Sequence, residues 1–305
     1  MMIQRVLVLG VTGMLGHTLL RELSSDERLE VHGTARDLAL HAHHYPARLL
    51  TRITPGVDAA RFEQVQQILD SIRPHAVVNC IGVIKQRPDV QDAVQTATIN
   101  ALFPHLLAEA CARIGSRLIH ISTDCVFSGG RGSYVETDLP DPADFYGRSK
   151  LLGETVAAPA LTLRTSIVGH ELSSNRSLVD WFLSQSGLVR GWTRAIYSGV
   201  TTVEFARLLR EVVLPREDLT GLYHVAARPI SKYELLRLVA DVYGWRGELV
   251  PCDEFACDRS LRADALAAST GYRPPDWPEM IGAMRAVRDR STGDAVRLAR
   301  QDVRV

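Results

Sequence analysis

Tyr146 and Lys150 stand four residues apart in Asp144-Phe145-Tyr146-Gly147-Arg148-Ser149-Lys150, a spacing that sets a phenol and an ammonium on one helix face. A phenol beside a cation can trade protons near neutral pH, because the positive charge favours the phenolate and lowers a titration otherwise found at about pH 10. The lysine is conspicuous in its own right. Of the 35 basic residues only Lys85, Lys150 and Lys232 are lysines, so a compact ammonium persists in a chain that otherwise uses guanidinium. With 8 tyrosines and so few lysines, chance supplies about 0.08 such pairs, far too few to make a surface helical pair the better reading.

A second constellation lies near the start. Arg5 to Leu9 is an apolar, β-branched run, followed at once by Gly10-Val11-Thr12-Gly13-Met14-Leu15-Gly16 and a helical pattern from Met14 to Leu23. G-x-x-G-x-x-G between a buried strand and a helix gives a tight turn, close approach of a pyrophosphate to the backbone, and a helix N-terminus aimed at its charge. Gly10, Thr12, Gly13, Met14, Leu15 and Gly16 are therefore predicted to hold a dinucleotide. The next strand, Leu29 to Thr34, leads into Ala35-Arg36. Arg36, with Thr34 as hydroxyl donor, suits a ribose 2′-phosphate and favours NADP(H), while Asp37 leaves NAD(H) open. His41, His43 and His44 lack a second set of ligands, so no metal site is predicted.

These groups need elements to bring them together. Strand Leu49 to Thr54, helix Arg61 to Ile72, strand Ala76 to Ile81, helix Thr96 to Ile114 and strand Arg117 to Ser122 continue an alternation that predicts an α/β fold with a doubly wound parallel sheet. Ligands of such sheets lie beyond the carboxyl ends of the strands, which gathers Asp58, Cys80, Ile81, Gly82 and the hydroxyls of Ser122 and Thr123 around one cleft. Residues 1–169 read as the dinucleotide-binding domain. Residues 170–305 read as a smaller C-terminal α/β substrate-binding part, with segments near 195–226 returning to the first. In that second part Ser177 to Ser186 and Val203 to Val213 are predicted helices, Thr201 and Glu204 have capping-box spacing, and Ser231-Lys232-Tyr233-Glu234 opens a third helix the same way. Lys232 is read as first-turn surface, His120 as a core histidine, and His170 as a residue near the cofactor. A guanidinium fork matches phosphate oxygens, which makes Arg194 and Arg259 candidates for a substrate diphosphate.

Three segments carry a family resemblance: the glycine run at Gly10, Ile121-Ser122-Thr123-Asp124-Cys125-Val126-Phe127-Ser128-Gly129, and Tyr146-Gly147-Arg148-Ser149-Lys150-Leu151-Leu152-Gly153-Glu154. Through them the chain resembles, almost end to end, the extended short-chain dehydrogenase/reductases and among them the dTDP-4-dehydrorhamnose reductase-like nucleotide-sugar reductases. The resemblance implies a Rossmann fold and a catalytic set of Thr123, Tyr146 and Lys150. It further implies a cofactor site that includes Tyr146, Lys150 and Ile167, and reduction of a keto group on a nucleotide-linked deoxysugar for surface polysaccharide precursors. In that scheme Tyr146 gives a proton to the keto oxygen, Thr123 hydrogen-bonds it, and Lys150 bridges the nicotinamide ribose. Two departures fall near the expected substrate: Cys125 stands where the family usually carries tyrosine, and Cys80 to Gln86 replaces an alanine-rich stretch. The chain looks closer to reductases of UDP-linked 2-acetamido-2,6-dideoxy-hexuloses, and Lys85, Asp124 and Cys125 join the expected substrate contacts. An epimerase of the same superfamily and a non-catalytic nucleotide-binding subunit are the alternatives, the latter because a regulatory subunit of methionine adenosyltransferase resembles this family.

Composition agrees with that class. Formal net charge is zero and no like-charge block stands out, so no nucleic-acid or membrane partner is implied. A homodimer is left open. The start lacks the apolar stretch and cleavage site of a signal peptide, which leads to the expectation of a cytoplasmic protein with five reduced cysteines. The charged tail from Arg285 to Val305 carries no predicted role.

Overall fold

A computed structural model describes residues 3–84 and 92–302, those beyond 290 as backbone alone. In chain order the elements are β1 (Gln4–Leu9), α1 (Met14–Leu23), β2 (Leu29–Ala35), α2 (Ala47–Leu50), β3 (Ile53–Pro55), α3 (Phe62–Ile72), β4 (Ala76–Asn79), α4 (Ala93–Ala97), α5 (Phe103–Arg113), β5 (Arg117–Thr123), α6 (Phe145–Leu152) and β6 (Leu161–Thr165). They are followed by β7 (Ile167–Val168), α7 (Leu178–Ser184), β8 (Leu188–Tyr197), β9 (Val200–Thr201), α8 (Thr202–Leu208), β10 (Gly221–His224), β11 (Ile230–Ser231), α9 (Lys232–Tyr243), β12 (Glu248–Asp258), α10 (Asp264–Thr270) and α11 (Trp277–Asp302).

Seven strands form one sheet in the order β10-β6-β5-β4-β1-β2-β3, and every recorded pairing in it is parallel. The sequence of β1 shows why it lies inside. Val6 and Val8 join one apolar cluster while Leu7 and Leu9 join another, and none of the four is exposed. A strand covered on both faces by helices must be apolar at every position. The strand order reverses direction next to β1, so the carboxyl ends of β1 and β4 open the crevice where ligands of such sheets bind. A smaller sheet, β11-β8-β12, and a two-stranded pairing of β7 with β9 come from the second half of the chain. The return of that half to the large sheet is made by β10, which pairs with β6, and by α8, whose Thr202 hydroxyl accepts from Thr18 of α1 at 3.2 Å.

Three element boundaries differ from the sequence pattern. Leu49 and Leu50 belong to α2, and β3 starts only at Ile53. The predicted helix from Thr96 to Ile114 begins earlier, at Ala93, where the Asp92 carboxylate accepts from the Gln95 amide at 3.0 Å. It is also interrupted by a π-helical turn over Thr98–Leu102. Val203 to Val213 similarly divides into α8 and a π-helical turn over Leu209–Val213.

Candidate active site

Thr123 ends β5, and its hydroxyl accepts from the Cys125 amide at 3.1 Å and donates to the Asp124 carboxylate at 3.2 Å. The neighbouring Ser122 faces elsewhere. Its hydroxyl donates to Glu154 at 2.6 Å, and Glu154 is gripped by Arg164 through bonds of 2.8 and 2.7 Å inside the core. The two hydroxyls thus divide: Ser122 fastens the segment just past α6, and Thr123 bonds within the turn that follows β5.

Helix α6 brings Tyr146 and Lys150 to the same edge. Asp144 caps it by accepting from the Gly147 amide at 2.8 Å. Gly147 is required by proximity: a Cβ there would sit 2.2 Å from the Cys125 carbonyl oxygen, so a side chain would push the helix away from the Asp124–Val126 turn. Gly153 does the same at the far end, where a Cβ would lie 1.9 Å from the Asn100 carbonyl. With α6 seated this closely, the Tyr146 phenol lies near enough to Thr123 for that hydroxyl to influence its titration.

The electrostatics correct one expectation. Burial, followed by Cys125, raises the Tyr146 titration, and Thr123 opposes this; Lys150 is not among the leading influences. The phenol therefore holds its proton at neutral pH, as an acid must. The Lys150 ammonium is turned the other way, donating to the Ile121 carbonyl at 2.7 Å and lying 3.4 Å from His120 Nε2. Burial pushes it down to about 8, against Glu154 and Cys80. His120 is indeed buried in β5, with Asn79 donating to its other ring nitrogen at 3.2 Å, so it is a core histidine that also touches the lysine.

At the amino end of the sheet's central turn, Gly10 has φ +84° and Gly16 lies so close that a Cβ would be 2.2 Å from the Gly10 carbonyl. Gly13 caps α1 without any side-chain hydrogen bond, and the first turn carries no acidic residue. An uncapped helix start behind a glycine cradle fits a pyrophosphate. Arg36, exposed just past β2, has no ion-pair or hydrogen-bond partner among the described residues, and so is free for a 2′-phosphate. Thr34 is not its companion. It is 1 % exposed and lies under the turn, its carbonyl accepting from Gly10 and Val11 at 3.1 and 2.9 Å. Asp58 lies beyond β3 and accepts from Ala60 at 3.1 Å. Cys80, Ile81 and Gly82 follow β4, with the Cys80 amide donating to Leu9 and the Ile81 amide to the Asn79 side chain. Ile167 is half-buried in β7.

Of the expected substrate contacts, Asp124 is buried and raised by that burial. Cys125 is half-buried, its thiol pushed up to about 12 by burial and then by Asp124. Arg259 donates to the Phe127 carbonyl at 2.9 Å and reaches Cys125 Sγ at 3.8 Å. Arg194 is exposed on β8, and Lys85 lies outside the described residues. His170 is engaged with Asp180 at 2.5 Å and with the Tyr243 hydroxyl at 2.7 Å, which makes it a fastening between α7 and α9.

Two residues with no sequence signal shape the site. Asn100, in the π-helical turn, accepts from Val83 N and donates to the Val83 carbonyl, both at 2.9 Å, and also donates to Ser149 at 3.1 Å, clamping the β4 loop to the catalytic helix. Lys232, taken as surface, is half-buried with its ammonium 5.1 Å from the Trp192 ring centroid.

Among known proteins, the β subunit of methionine adenosyltransferase 2 from Danio rerio is 28% identical over 270 residues, covering 82% of this chain and 78% of that one. A dTDP-4-dehydrorhamnose reductase from Aggregatibacter actinomycetemcomitans is 28% identical over 254 residues, 78% of each chain. The crystal structure of dTDP-4-dehydrorhamnose reductase from Bacillus anthracis in complex with NADP superposes with a TM-score of 0.76 at 24% identity, covering 93% of this chain and 99% of the other. The two chains thus share one fold, a Rossmann-like parallel sheet with flanking helices. Residues 4–284 match the RmlD substrate binding domain family, and the chain belongs to that family.

Proposed function

We propose that this chain is an NADP(H)-dependent reductase of the 4-keto group of a nucleotide-linked 6-deoxy sugar. The observation that carries the reading is the meeting of a protonated Tyr146, Thr123 at the end of β5 and a buried Lys150 at one sheet edge beside an uncapped dinucleotide turn. A nicotinamide cofactor held at the glycine turn would supply the hydride for the carbonyl carbon. Thr123 hydrogen-bonds the keto oxygen, Tyr146 releases its proton to it, and one alcohol results. Gly10, Gly13 and the start of α1 hold the pyrophosphate and Arg36 the 2′-phosphate. Lys150, buried and held on the Ile121 carbonyl, would be the residue to contact the nicotinamide ribose, as the family resemblance implies. The departures at Cys125 and around Cys80 favour a UDP-linked 2-acetamido-2,6-dideoxy-hexulose over dTDP-4-dehydrorhamnose.

The likeness to the methionine adenosyltransferase β subunit supports a second reading, a nucleotide-binding subunit without turnover. Following NADPH absorbance with UDP- and dTDP-linked 4-keto-6-deoxy sugars, beside Tyr146→Phe, separates the two. Consumption that vanishes in the variant is the expected result. Binding of NADPH with no consumption on any sugar would move the weight to the subunit, and an epimerised sugar without net oxidation would move it to an epimerase.

A further inference from the structure

Lys232 is the first residue of α9, a poor place for a cation because the helix dipole sets positive charge there. The capping box of Ser231 and Glu234 is complete without it. Lys232 makes no hydrogen bond or ion pair among the described residues. Its stem is packed while its ammonium lies over Trp192, and the charged or ionisable groups around it are Asp124, Cys125, Cys257 and Arg259. Trp192 alternates along β8 with the buried Gly191 and Ala195, so it shares its sheet face with Arg194. Trp192 in turn packs against Phe255, ring centroids 4.8 Å apart, at the bulge of β12. Arg259 reaches the same Cys125 with one edge of its guanidinium. Two cations from separate elements thus lie near the turn that follows Thr123, and the buried Asp124 influences both.

We infer that Lys232 and Arg259 together bind the diphosphate of the nucleotide-sugar substrate, with Trp192 holding the ammonium in place between turnovers. A diphosphate carries enough charge to engage both cations, and a cation–π partner positions an ammonium without neutralising it. The inference rests on the proposed nucleotide-sugar reading for its ligand, but its test does not need turnover.

The test is calorimetric titration of the full chain, saturated with NADP, with UDP, dTDP and uridine, comparing wild type with Lys232→Ala and Lys232→Arg. Loss of a charge-assisted contact predicts UDP or dTDP binding weakened about 10- to 100-fold in Lys232→Ala. Uridine and NADPH affinities should be unchanged, and Lys232→Arg should recover much of the loss. With an active sugar, KM rises in the alanine variant while kcat stays within about threefold, as expected for binding shared by ground and transition states. Unchanged UDP affinity in a folded Lys232→Ala protein overturns the proposal, as does an equal loss for uridine and NADPH, or wild type that binds no nucleoside diphosphate. A defect seen only with sugars bearing a carboxylate also overturns it, since the cations then read the sugar. Lys232-dependent UDP binding in a protein that reduces no sugar upholds this site and sinks the reductase reading instead.

Discussion

In the proposed reaction Tyr146 is the proton donor, and its half-buried phenol, raised by burial, is suited to give a proton rather than take one. Replacing it by phenylalanine removes the acid and keeps the ring, so kcat/KM should fall about 10²- to 10⁴-fold. The melting temperature should hardly move, because the packed ring is retained; a variant that melts early would assign the Tyr146 hydroxyl to the fold. Arg36 is the second case. Exposed and unpartnered among the described residues, it has nothing to stabilise but a ligand, and a phosphate contact of this kind is worth about 1.5–3 kcal/mol. Arg36→Ala should therefore weaken NADPH binding at least tenfold and leave NADH binding nearly unaltered, an outcome read directly by fluorescence titration. Equal losses for both cofactors would detach Arg36 from the 2′-phosphate. The positions of both, Tyr146 on a helix with Lys150 and Arg36 just past a strand, were legible in the sequence because their signal is local. Lys232 was not, since a lysine in a capping box reads as solvated surface until β8 carries Trp192 beneath it.

Helix α6 shows what an element adds. Its residues are uninformative as an amphipathic pattern, and it is positioned by glycines that allow backbone contact and by Asn100 reaching Ser149. Gly147→Ala would press a methyl group into the Cys125 carbonyl, and overpacking of this sort costs about 1–3 kcal/mol. Relief must come by moving the helix, so Tyr146 leaves Thr123 and activity should drop about 10²-fold in protein that still folds. Circular dichroism and a melting curve beside the rate measurement check both halves; full activity with lowered stability would show that the site tolerates the shift. The elements of the first half could be read from the chain because the central strands β1 and β4 are short apolar, β-branched runs and helical patterns alternate with them. β3 escaped because Leu49 and Leu50 are apolar yet helical, and short apolar runs do not distinguish the two states. The π-helical turn that presents Asn100 escaped for another reason: one buried amide inside a helix has no period.

Among the described residues deep burial holds His17, His120 and His224 in the neutral form, and this shapes how the molecule responds to acid. Burial pushes His17 and His224 down to about 4 and His120 well below its usual range. The surroundings explain why protonation is resisted. His224 donates from Nδ1 to the Tyr134 carbonyl and turns Nε2 toward the Arg164 guanidinium, where a second proton would face a cation. His17 uses Nε2 on the His170 carbonyl, and its Nδ1 is buried with no partner to receive a new N–H. In the unfolded chain each imidazole takes up a proton at about pH 6.5. Between about 6.5 and 4 the unfolded state therefore binds more protons than the folded one, and stability present above that window is lost as pH falls through it. For His17 and His224 the loss is about 3 kcal/mol each once pH reaches 4. Asp124, raised by burial, acts in the opposite sense but is a single group against three. The urea midpoint should thus drop steeply from pH 7 to pH 4.5 with an unchanged m-value. His224→Gln, which keeps a donor for Tyr134 and cannot ionise, should show a shallower dependence although it begins less stable. Parallel pH curves for the two proteins would remove His224 from the account and leave the acid response to carboxylates.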